Sequence, residues 1–261
     1  MRKLIGILLF SLIMPAAQAK LVAKTVHYHG GDTKLTGYMV YDSRFKGKRP
    51  GILVVHEWWG QNAYARKRAR MLARLGYVAF ALDMYGNGKT ATHPKDAGKF
   101  AGMVRSNMPL AKARFLAALD QLKANPLTDA DKLAAIGYCF GGGIVLQMAR
   151  QGIDLKGVAS FHGSLATNAP AQPGKVKARV MVFNGEDDPF TTKAQIAAFK
   201  QEMQNAGVDY QFVNYPGAKH SFTNPDATAL GKKFKLPLAY NAKADKDSWR
   251  RMQGFFHELF K

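Results

Sequence analysis

Five residues constrain this chain more than any others: Gly137-Tyr138-Cys139-Phe140-Gly141. They follow an apolar run, Leu133 to Ile136, and precede a run with helical character, Gly142 to Arg150. A G-x-nucleophile-x-G segment between a strand and a helix is a turn sharp enough to need small residues two positions either side of its centre. Such a turn lifts the central side chain off the carboxyl end of a sheet and sets the next backbone N–H beside it. Here the central residue is the only cysteine of 261 residues.

Strand and helix signals alternate around that turn. Val22–His29 and Leu35–Asp42 alternate as strands about Gly30-Gly31-Asp32, which predicts an antiparallel hairpin. Residues 51–57, 77–83, 133–138, 157–161, 176–184 and 208–215 are compact and apolar, as strands covered on both faces are. Between them, 62–75, 110–124, 142–150 and 192–206 carry helical spacing, and 248–260 closes the chain as an amphipathic helix. This order predicts one α/β domain with a mostly parallel central sheet, helices on both faces and the N-terminal hairpin at its edge. Residues 85–109 and 223–247 show no clear period and follow strand ends on the side of the Cys139 turn, so they are expected as walls and lid of a pocket.

The first residues belong to a different category. Met1-Arg2-Lys3, an apolar run from Leu4 to Met14, and Pro15-Ala16-Ala17-Gln18-Ala19 form the pattern of a secretory signal peptide. Residues 1–19 are read as the leader and 20–261 as the domain, periplasmic or secreted from a bacterium. The run is shorter than the roughly 20 residues of a membrane span, and no other run is long enough to span one. One cysteine forms no internal disulfide, and a free thiol outside the cytoplasm argues for a use or for deep burial. The formal net charge is +20, with Lys and Arg spread along the chain and no basic run interleaved with aromatics. A solvated basic surface with weak attraction to anionic surfaces follows, and nucleic-acid binding does not. His56-Glu57 lacks the second His of an H-E-x-x-H site, so no metal and no cofactor is implied.

A thiol attacks an acyl carbon as its thiolate and needs a base within hydrogen-bond reach. In α/β-hydrolases the chain order is nucleophile, acid, histidine. The strand through Phe183 runs into Glu186-Asp187-Asp188, and the strand through Tyr215 leads to His220. Cys139, Asp188 and His220 each fall just past a strand end, as a triad requires. Asp187 is the neighbouring alternative, and His162, after Phe161, is either a rival base or a pocket wall. The N–H groups of Phe140 and Trp58 are the expected oxyanion donors.

Five segments together resemble the dienelactone hydrolase (carboxymethylenebutenolidase) family: H-E-W-W-G at 56–60, L-D-M-Y-G at 82–86, G-Y-C-F-G-G at 137–142, G-E-D-D-P at 185–189 and G-A-K-H-S-F at 217–222. The resemblance implies a Cys139–His220–Asp188 triad. It also implies that Glu57 faces the nucleophile at rest and helps generate the thiolate when substrate displaces it. A buried carboxylate has the raised pKa that such an exchange needs. One departure stands out. Family members that grip a substrate carboxylate do so with arginines after the L-D-x-Y and H-S-F segments; Gly86, Asn87 and Gly88, and Thr223 and Asn224, stand there. Lys89 or Lys219 is left as a looser partner. Trp58, Trp59, Tyr85 and Phe222 then suggest an aromatic or apolar acyl pocket. The expected activity is hydrolysis of a small ester or lactone through an acyl-thioester. The alternatives are a non-catalytic periplasmic binding protein of this fold and a thiol redox sensor, the latter lacking a resolving cysteine.

Overall fold

A computed structural model describes residues 20–261; the signal-peptide reading of 1–19 lies outside the described residues. The first two strands, β1 (Leu21–Gly30) and β2 (Thr33–Asp42), pair antiparallel across a turn at Gly31. The other strands are β3 (Arg49–Val55), β4 (Val78–Ala81), β5 (Thr128–Tyr138), β6 (Gly157–Phe161), β7 (Arg179–Gly185) and β8 (Tyr210–Tyr215). They form a single eight-stranded sheet in the order β1-β2-β4-β3-β5-β6-β7-β8. β2 meets β4 antiparallel, and every pairing from β4 to β8 is parallel.

The apolar runs of the inner strands are explained by two cores. On β3, Leu53 and Val55 enter one core while Ile52 and Val54 enter the other. β5 divides likewise, Leu133 and Ala135 against Ala134 and Ile136. Successive side chains leave a strand on opposite faces, so a strand covered twice must be apolar throughout. The first core is closed by Phe115 of α3 (Met108–Lys123), Ile144 and Val145 of α4 (Phe140–Arg150), and Phe199 of α5 (Lys193–Asn205). The second is closed by Ala65, Ala69 and Leu72 of α1 (Ala63–Arg74) and by Met252, Phe255 and Phe256 of α7 (Ala242–Leu259).

Two stretches without a clear period contain helices. α2 (Pro94–Arg105) lies in the first and α6 (Ala227–Phe234) in the second. The buried face of α2 is only Ala97, Ala101 and Val104, and that of α6 only Ala227 and Gly231, so neither carries a strong apolar stripe. α7 starts six residues earlier than its sequence pattern suggests: Asn241 caps it by accepting the Ala244 N–H, and its first turns are polar apart from Ala242 and Ala244. No helix among the described residues is long and apolar enough to cross a membrane.

Candidate active site

The site is assembled where β3, β5, β7 and β8 end. At the turn between β5 and α4, Cys139 adopts φ +52° and ψ −113°, a conformation that side chains rarely take. The turn is tight enough that a Cβ on Gly137 would collide with the Gly141 carbonyl, and one on Gly141 with the carbonyls of Val55 and His56. Both flanking glycines are therefore obligatory. The Cys139 N–H is shared between the Phe161 carbonyl (2.9 Å) and Nδ1 of His162 (3.0 Å).

His220 places Nε2 3.1 Å from Sγ of Cys139 and Nδ1 2.7 Å from Oδ2 of Asp188. Asp188 is fixed in turn, its Oδ1 accepting the Phe190 N–H at 2.9 Å. Of the two adjacent acids, Asp188 is buried against His220 and Asp187 points to solvent. Burial works to lower the pKa of His220, but the Cys139 sulfur and the Asp188 carboxylate outweigh it and push it up to about 10. The imidazole can thus hold a proton received from the sulfur.

Glu57, just beyond β3, is 2% exposed. Its Oε2 accepts Nδ2 of Asn224 at 2.6 Å, while Oε1 has no partner among the described residues. Burial raises its pKa, only partly opposed by the Asn224 hydrogen bond and by Ser221 and His220 nearby. Asn224, one of the two residues after H-S-F where a carboxylate-gripping arginine was sought, is thus a neutral amide that holds Glu57.

Behind Cys139 runs a second chain of contacts. Because Nδ1 of His162 accepts from Cys139, its Nε2 carries the hydrogen and donates to Oγ1 of Thr223 at 2.7 Å. That hydroxyl bonds the Tyr64 hydroxyl (2.6 Å), which accepts Nε of Arg68 (3.1 Å). Arg68 also binds the Thr223 carbonyl and Asp245, both at 2.6 Å. Burial, with His220 and Arg68 nearby, holds the pKa of His162 well below its ordinary value, so it stays neutral.

Among the described residues, the N–H groups of Trp58 and Phe140 bind no other protein group. The Trp58 carbonyl is tied down by the Tyr85 hydroxyl at 2.9 Å. Asp83 shapes the neighbouring loop by accepting the N–H groups of Thr36, Tyr85, Gly86 and Gly88 at 2.8–3.1 Å. That cradle accounts for the acid and the glycine of the 82–86 segment, and for Gly88 beyond it.

Cys139 and His220 open on a cavity of about 280 Å³ walled by Trp58, Arg105, Ser164, Phe190, Leu236 and Leu238. A larger hollow of about 610 Å³, beside Tyr215 and Arg250, is lined by none of Cys139, His220, Asp188 and Glu57 and is an open surface trough. The aromatic pocket expected from the sequence is placed differently. Trp59, Tyr85, His162 and Phe222 are all buried and none reaches the cavity wall. Trp59 packs on Trp58 and Phe234; Tyr85 braces the Trp58 loop; Phe222 stacks edge-on against His162. They form the layer behind the wall, because the strand-end motifs that name them point into the core. Lys89 and Lys219 are exposed and line none of the cavity. The wall comes instead from α2, from the Phe190 loop and from Leu236 and Leu238, the last bridged to His220. Of the wall residues, Arg105, Leu236 and Leu238 lie in the two stretches expected to form walls and lid; Trp58, Ser164 and Phe190 do not. No group of three His, Cys, Asp or Glu side chains among the described residues is arranged to hold a metal ion.

The sheet order, the elbow between β5 and α4, and the acid and histidine after later strands define an α/β-hydrolase. Residues 35–260 match the model of the dienelactone hydrolase family, and the chain belongs to that family. Protein usf of Aquifex pyrophilus is 27% identical over 241 residues, covering 91% of this chain and 99% of its own. Among solved structures, the dienelactone hydrolase-like promiscuous phosphotriesterase P91 from metagenomic libraries superposes with a TM-score of 0.87 at 36% identity, over 92% of this chain and 99% of that one. The structure named m3DLH matches with the same TM-score and coverage at 38% identity.

Proposed function

We propose that this protein hydrolyses a small ester or lactone with Cys139 as nucleophile. The observation that carries this reading is the unbroken chain Asp188–His220–Cys139, at 2.7 and 3.1 Å, on the floor of an open cavity. His220 takes the thiol proton and Asp188 holds the ring in the tautomer that can accept it. The thiolate adds to the carbonyl carbon, and the Phe140 and Trp58 N–H groups receive the oxyanion. Collapse breaks the carbon–oxygen bond of the ester, His220 protonates the departing oxygen, and an acyl-thioester remains. Water, deprotonated by His220, then releases the acid and restores the thiol. Glu57, buried and raised in pKa, is a second proton store beside this cycle. Residues 1–19 act as an export signal in this reading, and 20–261 are the working domain.

The test is acylation by an activated ester followed by intact-mass analysis. A mass gain localised to Cys139, with hydrolysis lost in Cys139→Ala, is expected. Hydrolysis by Cys139→Ala at the wild-type rate would sink the mechanism. Since P91 is described as a promiscuous phosphotriesterase, a neutral phosphotriester belongs in the same substrate panel.

A further inference from the structure

The end of the sheet opposite the cavity carries a surface of another kind. Between β2 and β3 the chain runs Ser43-Arg44-Phe45-Lys46-Gly47-Lys48. Among the described residues the exposed large apolar side chains are Phe45, Leu75, Met103 and Phe190. Phe190 borders the cavity. Phe45 and Leu75, 40% and 39% exposed, lie together: a Cβ on Gly76, the residue after Leu75, would stand 3.2 Å from the Phe45 ring.

Phe45 is held out on a braced loop. Nη1 of Arg49 donates to the carbonyls of Asp42 (2.8 Å) and Phe45 (2.7 Å). Arg44 lies over the Phe45 ring and closes on the buried Asp42 at 2.7 Å, so the acid before the loop is neutralised. Unpaired cations surround the apolar pair. Lys46 and Lys48 flank Phe45, Arg74 precedes Leu75, and the Lys20 carbonyl accepts the N–H and hydroxyl of Ser43 at 3.1 and 3.2 Å. All four are exposed, and among the described residues none pairs with an acid. Further along that edge, Asp129 and Asp131 stand at the start of β5, with Asp129 opposite Pro50.

An apolar tip among unpaired cations fits an anionic bilayer, the rings entering the interface and the ammonium groups resting among the headgroups. A second copy on a two-fold axis would instead set these cations against their own images. We propose that the Phe45–Leu75 face docks this protein on an anionic lipid bilayer. The face lies at the amino ends of β3 and β4, whereas the cavity lies at the carboxyl ends, so the docked molecule turns Cys139 toward water. Its substrate then arrives from solution and not from the lipid. If residues 1–19 are removed on export, the new amino group at Lys20 adds a further positive charge beside Ser43.

The probes are vesicles of phosphatidylglycerol and phosphatidylcholine in equal parts, and of phosphatidylcholine alone. Wild type should sediment with the mixed vesicles, less with phosphatidylcholine, and less again as salt is added. Lys46→Glu with Lys48→Glu should lower the partition coefficient roughly tenfold or more, and Phe45→Ser about three- to tenfold. Lys243→Glu with Lys246→Glu, on the basic trough of α7, should leave it within a factor of about two. Every variant carries the same N-terminus, read by intact mass, so the differences report the face whether or not residues 1–19 remain. Phe45→Trp gives a readout that does not depend on a loss: its emission should shift to the blue and be quenched by brominated lipid, beyond any change of Trp58, Trp59 and Trp249 in wild type. No vesicle binding, equal binding to both vesicles, an equal loss in the α7 variant, or an unquenched Phe45→Trp overturns the proposal. A dimer that Phe45→Ser dissolves, without vesicle binding, would make a second copy the occupant and overturn it too.

Discussion

Two adjacent aspartates after β7 differ in everything that chemistry would notice. Asp188 is buried 2.7 Å from Nδ1 of His220, and Asp187 faces solvent. Replacing Asp188 by Asn keeps the shape but makes the ring present the wrong tautomer, and kcat should drop by about 10³–10⁴. Asp187→Asn should leave kcat within a factor of about two by the same comparison. Steady-state kinetics on one ester decides it; the larger loss in Asp187→Asn would reverse the assignment. Glu57 gives a prediction in stability rather than rate. Burial raises its pKa above the unfolded value, so the folded protein keeps that proton to higher pH than the unfolded chain does. The stability tied to that proton is lost as pH rises through the folded pKa. Glu57→Gln, which cannot ionise, should therefore raise Tm above wild type at pH 8 and bring little gain at pH 4, measured by thermal scans. Equal gains at both values would show that the carboxylate ionises freely.

At the scale of elements, Cys139, Asp188 and His220 were legible in the sequence because parallel strands carry their carboxyl ends to one edge. A residue just past each strand end must then meet the others. The cavity wall was not legible for the converse reason. Arg105, Leu236 and Leu238 hang from α2 and from the segment after α6, whose small buried faces leave no period to read. Tyr85 and Phe222 sit in strongly patterned motifs because they brace the strand ends from inside. The network through Thr223 shows such bracing in detail: it links the end of β6 to α1 and, through Asp245, to α7. Thr223→Val preserves shape yet strands the His162 Nε2–H donor. A loss of about 1–3 kcal/mol in denaturant unfolding is expected, together with a lower kcat, since His162 supports the N–H of Cys139. Unchanged unfolding midpoint and kcat would mean that the elbow holds itself.

For the molecule as a whole, both faces of the sheet are sealed, and two histidines are sealed in with them. His56 and His162 are fully buried, and burial lowers the pKa of each. The unfolded chain takes up those protons near pH 6.5 while the folded protein refuses them, so stability should fall as pH drops below about 6.5. Chemical denaturation at pH 5 and pH 7.5 measures the fall, and His162→Gln should flatten it. A profile equally steep in that variant would shift the cause to other groups.

The solitary sulfur also turns the whole chain into its own gauge. One thiol, 8% exposed and at the foot of the open cavity, is all that a maleimide or a disulfide reagent can meet. Labelling stoichiometry therefore counts competent molecules directly. The labelling rate, with and without a ligand, reads occupancy of the cavity with no substrate in hand and no engineered reporter.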